Sequence, residues 1–195
     1  MVDLSRRNAL QGLAMLPLAA SIGTAARSAS AQDLQAPASR TLVAFFSRTG
    51  NTRVIAGQIR RAHSADIFEI VPATPYPEDY QETVSQAQRE RDSGFEPPLR
   101  ETVLANAAYS IVFLGFPIWG TTAPSVIRTF LSSHDLAGKT LVLFITHGGY
   151  GLGSSLSVVR SHAPQARLIE GFALEADQER RTLEQVTGWL GGLPF

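Results

Sequence analysis

The chain has 195 residues, of which 44% are hydrophobic and 17% are charged, a composition typical of one globular domain with a substantial core. Its formal net charge is zero, and the first 31 residues hold three arginines and one aspartate, which leaves 14 basic and 16 acidic residues in the rest. This slightly acidic remainder argues against nucleic acid as a partner, and the lack of cysteine excludes disulfides, thiolate metal sites and a cysteine nucleophile.

The first 31 residues have the features of an export signal. Arg6 and Arg7 form a basic pair, residues 12–26 are uncharged, and Ala29-Ser30-Ala31 offers a small-residue cleavage site. The segment resembles a twin-arginine signal, which implies export to the periplasm of a protein that folds before it crosses the membrane. The predicted organisation is a signal peptide at 1–31, a linker at 32–39 and a folded domain at 40–195.

Two alternatives for this segment stay open. Ala9 stands where twin-arginine signals usually have phenylalanine, so Sec export or a retained anchor is also compatible with the sequence. The uncharged run is shorter than the ~18 apolar residues that a bilayer requires, which argues against a membrane span.

The first folded segment is an apolar strand that ends in a hydroxyl-rich turn and leads into a helix. Leu42 to Phe46 predicts a strand buried on both faces, and a helical pattern runs over 52–61. Gly50 lets the turn fold closely around an anion, and the free N–H groups of the helix start point to the same place. The polar side chains of this turn are those of Ser47, Thr49, Asn51 and Thr52.

These residues predict a phosphate-binding loop, although hydroxyl and amide side chains before a helix can also serve only as N-caps. The loop lacks the lysine of a Walker motif and the glycine spacing of a dinucleotide fingerprint. A mononucleotide or flavin phosphate is therefore the better fit.

The segment Ser47-Arg48-Thr49-Gly50-Asn51-Thr52 resembles the phosphate loop that binds flavin mononucleotide (FMN) in flavodoxins. The resemblance covers roughly residues 40–192. It implies an α/β fold, a flavodoxin-like three-layer doubly wound sandwich whose five-stranded parallel sheet has the order 2-1-3-4-5, an order that flavodoxins exemplify. Arg48 would either strengthen phosphate binding or point to solvent.

A second strand, over 66–71, is predicted at the sheet edge, and a long connection over 72–108 follows it. This connection contains Tyr76-Pro77-Glu78-Asp79-Tyr80, and similar segments occur in the FMN-binding flavodoxin-like group. We interpret the charges over 82–92 as the solvated face of a helix. The alternative is that Tyr76 and Tyr80 border the flavin cleft.

A central strand over 110–116 leads into the loop Pro117-Ile118-Trp119-Gly120-Thr121-Thr122-Ala123-Pro124 and then into a helix over 125–132. Trp119 thus follows the carboxyl end of a strand, where ligands bind in open α/β sheets. In the resembled family this loop contacts the flavin ring, which implies that Trp119 stacks on it. A tryptophan packed in the core is the alternative.

The strand over 140–146 precedes His147-Gly148-Gly149-Tyr150-Gly151-Leu152-Gly153, a loop whose backbone could lie against a planar ligand. His147 is the candidate catalytic residue, because it could bond to the flavin or supply a proton, although it could equally be an exposed loop histidine. A helix to 162, a strand over 167–173 and a helix over 177–190 complete the fold. The last helix has Leu183, Val186 and Leu190 on one face.

Other chemistries fit less well. Ser154 and Ser155 lack the frame of a hydrolase elbow, and the four histidines lack metal-ligand spacing, so no metal is expected. Three of the histidines, His63, His134 and His162, are predicted on helix or turn surfaces.

We therefore predict an FMN-binding redox protein that transfers electrons or reduces a small acceptor. The alternatives are an NAD(P)H-dependent quinone reductase and a non-enzymatic flavin-binding sensor or interaction module. The expected partners are a redox protein or a small acceptor such as a quinone, with NAD(P)H as a further candidate. The predicted cofactor-binding residues are Ser47, Arg48, Thr49, Gly50, Asn51, Thr52, Pro117, Ile118, Trp119, Gly120, Thr121, His147, Gly148, Gly149, Tyr150, Gly151 and Gly153.

Overall fold

The computed structural model describes residues 40–149, 151–175 and 179–195. The predicted signal peptide and linker, Tyr150 and the predicted helix start at Asp177 lie outside these residues, as does the side chain of Leu183. Across the described ranges, no helix has the length and hydropathy needed to span a bilayer.

Five parallel strands form one sheet with the order β2-β1-β3-β4-β5, which confirms the predicted fold and strand order. The strands are β1 (Arg40–Phe45), β2 (Asp66–Glu69), β3 (Tyr109–Pro117), β4 (Thr140–His147) and β5 (Arg167–Glu175). The short β2 lies at the sheet edge, as its sequence predicts.

The helices pack on the two faces of this sheet. They are α1 (Asn51–His63), α2 (Tyr80–Ser93), α3 (Ser125–Ser133), α4 (Ser155–His162) and α5 (Glu179–Gly191), and a short 3₁₀ turn covers Asn106–Ala108. The α1 and α5 helices pack against each other, as do α3 and α4, while α2 contacts α3. The result is the three-layer arrangement that alternating strands and helices predict.

The core has two halves, one on each side of the sheet. Leu42 and Ala44 of β1 belong to one buried cluster, whereas Val43 and Phe45 belong to the other. Successive side chains of a strand point to opposite faces, so a strand covered on both faces must be apolar at every position. This explains the unbroken apolar runs of β1, β3 and β4.

The register of the central strands brings their carboxyl ends to one edge of the sheet. Phe45 pairs with Gly115, and Gly115 pairs with Phe144. Because these residues lie level with one another across the three strands, the loops that follow β1, β3 and β4 begin side by side. Position 115 has no room for a side chain, because a Cβ there would lie 2.0 Å from the Phe144 ring.

His134 corrects one sequence prediction, because it is buried beside the core rather than placed on a turn surface. Its Nδ1 lies 2.8 Å from the Phe130 carbonyl, and its Nε2 accepts a hydrogen bond from the Val103 N–H at 2.9 Å. The ring is therefore neutral, with the proton on Nδ1 donated to Phe130. His134 therefore links the connection over 72–108 to the end of α3 through these two hydrogen bonds.

Acid should destabilise the fold through His134. Burial lowers the pKa of this ring, and the hydrogen bond to the Phe130 carbonyl offsets part of that effect. The unfolded chain takes up this proton near the ordinary histidine pKa of about 6.5, whereas the folded chain resists it. The free energy of unfolding should therefore fall as the pH drops below about 6.5.

Denaturant unfolding at about pH 7.5 and pH 5.5 measures this effect, and His134→Gln, which keeps an acceptor for Val103, should reduce the fall. The comparison is made in a His63→Gln background, because burial lowers the pKa of His63 as well. An equal fall with and without His134 would contradict the prediction.

Candidate functional site

The loop between β1 and α1 is built to leave its polar groups available. Gly50 is the N-cap residue of α1, with a positive φ of 97°, and as a glycine it has no side chain that could cap the helix. Within the loop, the Gly50 N–H donates to Ser47 Oγ at 3.1 Å. Ser47 thus satisfies one N–H at the start of α1, as the N-cap alternative predicts, whereas the side chains of Thr49, Asn51 and Thr52 do not cap this helix.

The four polar side chains of this loop have different surroundings. Within the described chain, the side chains of Thr49 and Asn51 make no hydrogen bond, and both line a cleft. The Thr52 hydroxyl is buried and shares a 2.9 Å hydrogen bond with Thr146 Oγ1. Thr52 therefore joins the start of α1 to the end of β4, a link between residues far apart in the sequence.

Arg48 lies along the edge of the same cleft. Its Nη2 donates to the Glu78 carbonyl at 2.6 Å, and its guanidinium lies 5.9 Å from the centre of the Tyr80 ring. A cation over an aromatic face is stabilised by the ring. Arg48 is thus held beside the loop between β1 and α1 by the long connection over 72–108.

Trp119 lies in a tight turn after β3. The backbones of Trp119 and Thr122 exchange hydrogen bonds of 3.0 and 3.3 Å, and Gly120 and Thr121 have φ values of 56° and 67°. Two successive left-handed residues are typical of a type I′ turn. This turn presents the indole to the cleft at the carboxyl end of the sheet.

The Trp119 indole is half-buried and supported by two other rings. Its ring lies 5.2 Å from that of Phe46 and 4.7 Å from that of Tyr76, both in edge-to-face geometry. The indole therefore packs on the core cluster, as one alternative for this residue predicts, and also lines the cleft. Its stacking on a flavin ring stays a prediction.

Glu90 corrects the prediction that the charges of α2 are solvated. It is only 5% exposed, and its carboxylate accepts hydrogen bonds from the Tyr76 hydroxyl at 2.8 Å and from Gln86 Nε2 at 2.9 Å. Burial, followed by the bond to this carboxylate, raises the pKa of Tyr76 far above its usual range. The neutral Tyr76 is thereby fixed against Trp119.

One face of α2 forms a wall of the cleft that sequence analysis missed, apart from Tyr80. Its residues recur at helical spacing and comprise Tyr80, Thr83, Val84, Ala87, Gln88 and Arg91. The available signal was the run of small or apolar residues Thr83, Val84 and Ala87 on one side of an otherwise polar helix, in a connection too long to be a simple turn.

The loop after β4 contributes its first residues to the cleft. His147 and Gly148 line it, together with Thr146, which sequence analysis did not select. The Gly149 N–H donates to His147 Nδ1 at 3.1 Å. In a neutral ring the proton is then on Nε2, which makes His147 a hydrogen-bond donor through that atom.

The rest of the glycine loop has a structural position instead. Thr121, Gly149, Gly151 and Gly153 do not line the cleft, and Tyr150 lies outside the described residues. The Ser154 N–H donates to the Thr121 carbonyl at 2.9 Å, and a Cβ on Gly153 would lie 1.8 Å from the same oxygen. Thr121, Gly153 and Ser154 thus join the loops after β3 and β4 to each other.

The three loops and α2 enclose a cavity of about 290 Å³. The charged side chains that line it are Arg48 and Arg91, with His147 as a third nitrogen group, and no described lining residue is a carboxylate. No cluster suited to a metal ion occurs among the described residues. The cleft therefore favours an anionic ligand with a flat, partly apolar body.

Residues 40–192 match the family model described as flavodoxin. No curated protein matches the chain. A candidate flavoprotein from Bacteroides eggerthii DSM 20697 is 33% identical, with 77% of this chain and 98% of that chain covered and a TM-score of 0.66. A second, from Bacteroides uniformis ATCC 8492, is 30% identical, with coverages of 76% and 98% and a TM-score of 0.68.

A flavoprotein from Lactobacillus acidophilus NCFM, solved in complex with FMN, is 21% identical. The alignment covers 78% of this chain and 99% of that chain, with a TM-score of 0.61. At this identity the likeness shows a shared fold.

Proposed function

The chain belongs to the flavodoxin family, whose cofactor is FMN, and from this premise we propose that it binds FMN in the cleft and uses it for redox chemistry. The observation that carries the proposal is the loop between β1 and α1. The N-cap residue of α1 is a glycine without a capping side chain, and two polar side chains, those of Thr49 and Asn51, have no partner within the described chain.

The residues of the cleft fit this cofactor. A phosphate needs hydrogen-bond donors and positive potential, which the loop side chains, the first N–H groups of α1 and Arg48 supply. A flavin ring needs a flat apolar surface, which Trp119 supplies. The lack of carboxylates among the described lining residues removes repulsion toward the phosphate.

FMN supplies the capacity to accept and return one or two electrons. The residues that would hold the phosphate are Ser47, Thr49 and Asn51, while Thr52 fixes the loop against β4. Trp119 would cover the ring and exclude water from it. His147 Nε2–H is a donor toward the polar part of the ligand, since Nδ1 is engaged by Gly149.

Between a carrier that docks to another protein and an enzyme that reduces a small acceptor, one observation favours the enzyme. Tyr80 and Val84 of the α2 wall line the cleft, and they are 64% and 41% exposed to solvent. Exposed apolar side chains mark contact surfaces in general, and the position of these two inside a concave site is what favours a small-molecule ligand. The acceptor class is then a small planar compound such as a quinone, with a reduced nicotinamide as donor.

Purification followed by chromophore identification tests the proposal. We expect FMN to co-purify, its absorption to be bleached by a reduced nicotinamide, and a quinone to restore the oxidised spectrum. Bleaching by dithionite but not by nicotinamides would favour the electron carrier. A chain that neither retains nor takes up flavin would overturn the proposal.

We also propose export through the twin-arginine pathway, which the basic pair Arg6 and Arg7 and the Ala29-Ser30-Ala31 cleavage site support. Replacing both arginines by lysine should leave the precursor in the cytoplasm, because the pathway requires the arginine pair. Fractionation with antibody detection measures this. Normal periplasmic levels of the double variant would contradict the twin-arginine assignment.

A further inference from the structure

We propose that the α2 wall is a second binding site in the cleft, which holds a planar aromatic acceptor carrying a negatively charged group, with Arg91 as the cation that recognises this group. The proposal rests on the proposed function, because such an acceptor reacts only where FMN is bound. It adds the chemical class of the acceptor and a residue that determines specificity.

The first argument is the position of Arg91 relative to the phosphate loop. Arg48, beside that loop, lies over Tyr80 at the start of α2. Arg91 is eleven residues after Tyr80 in the same helix, which separates the backbones of the two residues by about 16 Å along the helix axis. The FMN phosphate would be held at the Arg48 end of the wall, which leaves the charge of Arg91 at the other end for a different anionic group.

The second argument is that the Arg91 guanidinium lies beside Gly120 without being neutralised. It lies against the backbone of Gly120, where a Cβ would be 2.1 Å from Nη1. Its ion-pair contact is with Asp92, at 3.6 Å between Nε and Oδ1, and the Asp92 side chain is 62% exposed. Such an exposed pair is worth little, so the positive charge is available to a ligand.

The third argument is the apolar surface beside this charge. Tyr80 and Val84 are one helical turn apart on the cleft side of α2, and Ala87 follows them toward Arg91. Their exposure gives a planar compound an apolar surface that ends at a guanidinium. This combination suits an aromatic ring system with a carboxylate, sulfonate or phosphate substituent.

The electron balance needs no further component. Reduction of a quinone to its hydroquinone takes up two electrons and two protons. A reduced nicotinamide supplies a hydride equivalent, which carries both electrons and one proton, and water supplies the second proton.

The test compares two probes on the FMN-loaded full chain without nicotinamide. A naphthoquinone sulfonate and the same naphthoquinone without the sulfonate are titrated, and the change in flavin absorption gives their dissociation constants. Arg91→Gln should weaken binding of the sulfonate about tenfold, as expected for loss of a charge-assisted hydrogen bond, and should change binding of the uncharged probe less than twofold.

Arg89→Gln is the matched control, because Arg89 is exposed on the same helix and does not line the cleft. It should leave both constants unchanged, whereas Arg91→Lys should retain part of the preference for the sulfonate. Equal effects of Arg91→Gln on both probes, or no effect on either, would overturn the proposal.

The FMN dissociation constant of each variant separates this proposal from the one on which it rests. A tenfold weaker FMN complex in Arg91→Gln, with the preference for the sulfonate unchanged, would assign Arg91 to the cofactor and overturn the second site. Failure of the unmodified chain to bind FMN would overturn both proposals.

Discussion

Replacing Thr49 and Asn51 together by alanine should weaken FMN binding about 100-fold or more. Both side chains line the cleft beside the start of α1, and neither has a hydrogen-bond partner within the described chain. A hydrogen bond to a charged acceptor is worth ~1.5 to 3 kcal/mol, and two such losses correspond to at least two powers of ten in the dissociation constant. Titration of apoprotein by flavin fluorescence measures it.

Riboflavin is the ligand control, because it has the same ring system and no phosphate. Its affinity should change little in the double variant, whereas an equal loss for FMN and riboflavin would show that the loop does not hold the phosphate. Thr102→Ala is the control variant, since Thr102 is exposed and does not line the cleft.

Thr52 is not replaced in this experiment, because its side chain also has a structural role. Its hydroxyl is bonded to Thr146 in a buried position, so Thr52→Ala would leave the Thr146 hydroxyl without its partner and cost ~1 to 3 kcal/mol of stability. A loss of FMN affinity in Thr52→Ala would then mix a local structural change with a lost ligand contact.

Removing the Trp119 indole by Trp119→Ala should raise the FMN dissociation constant roughly five- to thirtyfold. A stacking surface is worth ~1 to 2 kcal/mol by analogy with buried aromatic pairs. The variant should also be less stable, because the indole packs edge to face on Phe46 and Tyr76. Trp119→Phe keeps an aromatic surface and should lose less affinity than the alanine variant.

Tryptophan emission supplies an independent readout. Trp189 of α5 stacks on Phe172 at 5.4 Å between ring centres and does not line the cleft, so Trp189→Phe leaves Trp119 as the reporter. FMN should quench the emission of this variant strongly. Unchanged affinity in Trp119→Ala, together with unquenched emission in Trp189→Phe, would place the flavin away from this ring.

The reduction potential of the bound FMN should rise in Trp119→Ala. An electron-rich ring and the exclusion of water both disfavour negative charge on the reduced cofactor, so Trp119→Ala should make reduction easier. Spectroelectrochemical titration of the FMN-loaded protein measures the shift. A potential equal to that of the unmodified protein would mean that the indole does not face the ring.

Sequence analysis was sufficient for the fold and for the position of the cleft, because the patterns that encode them are local. The unbroken apolar runs of β1, β3 and β4 require a sheet covered on both faces, and helices between them require parallel strands. Once the strands are parallel, the loops that begin at Ser47, Pro117 and His147 meet at one edge. The prediction of FMN as the ligand came from the resemblance of residues 47–52 to the phosphate loop of flavodoxins.

The composition of the cleft wall was decided only by the tertiary structure. Glu90 and Arg91 are adjacent in a highly charged helix, yet Glu90 is buried against Tyr76 while Arg91 lies beside Gly120 in the cleft. A helical pattern gives the relative angle of two residues but not which side of the helix faces the sheet. That choice depends on packing partners far along the chain.

The same reason applies to the residues that hold the loops in place. The Thr52 hydroxyl bonds to Thr146, and Gly153 packs on the Thr121 carbonyl, so residues selected as ligand contacts also join one loop or strand to another. A hydroxyl or a glycine in a turn fits both roles equally well in a local pattern. The two roles differ only in what lies opposite the residue in space, and the order and register of the strands determine that neighbour.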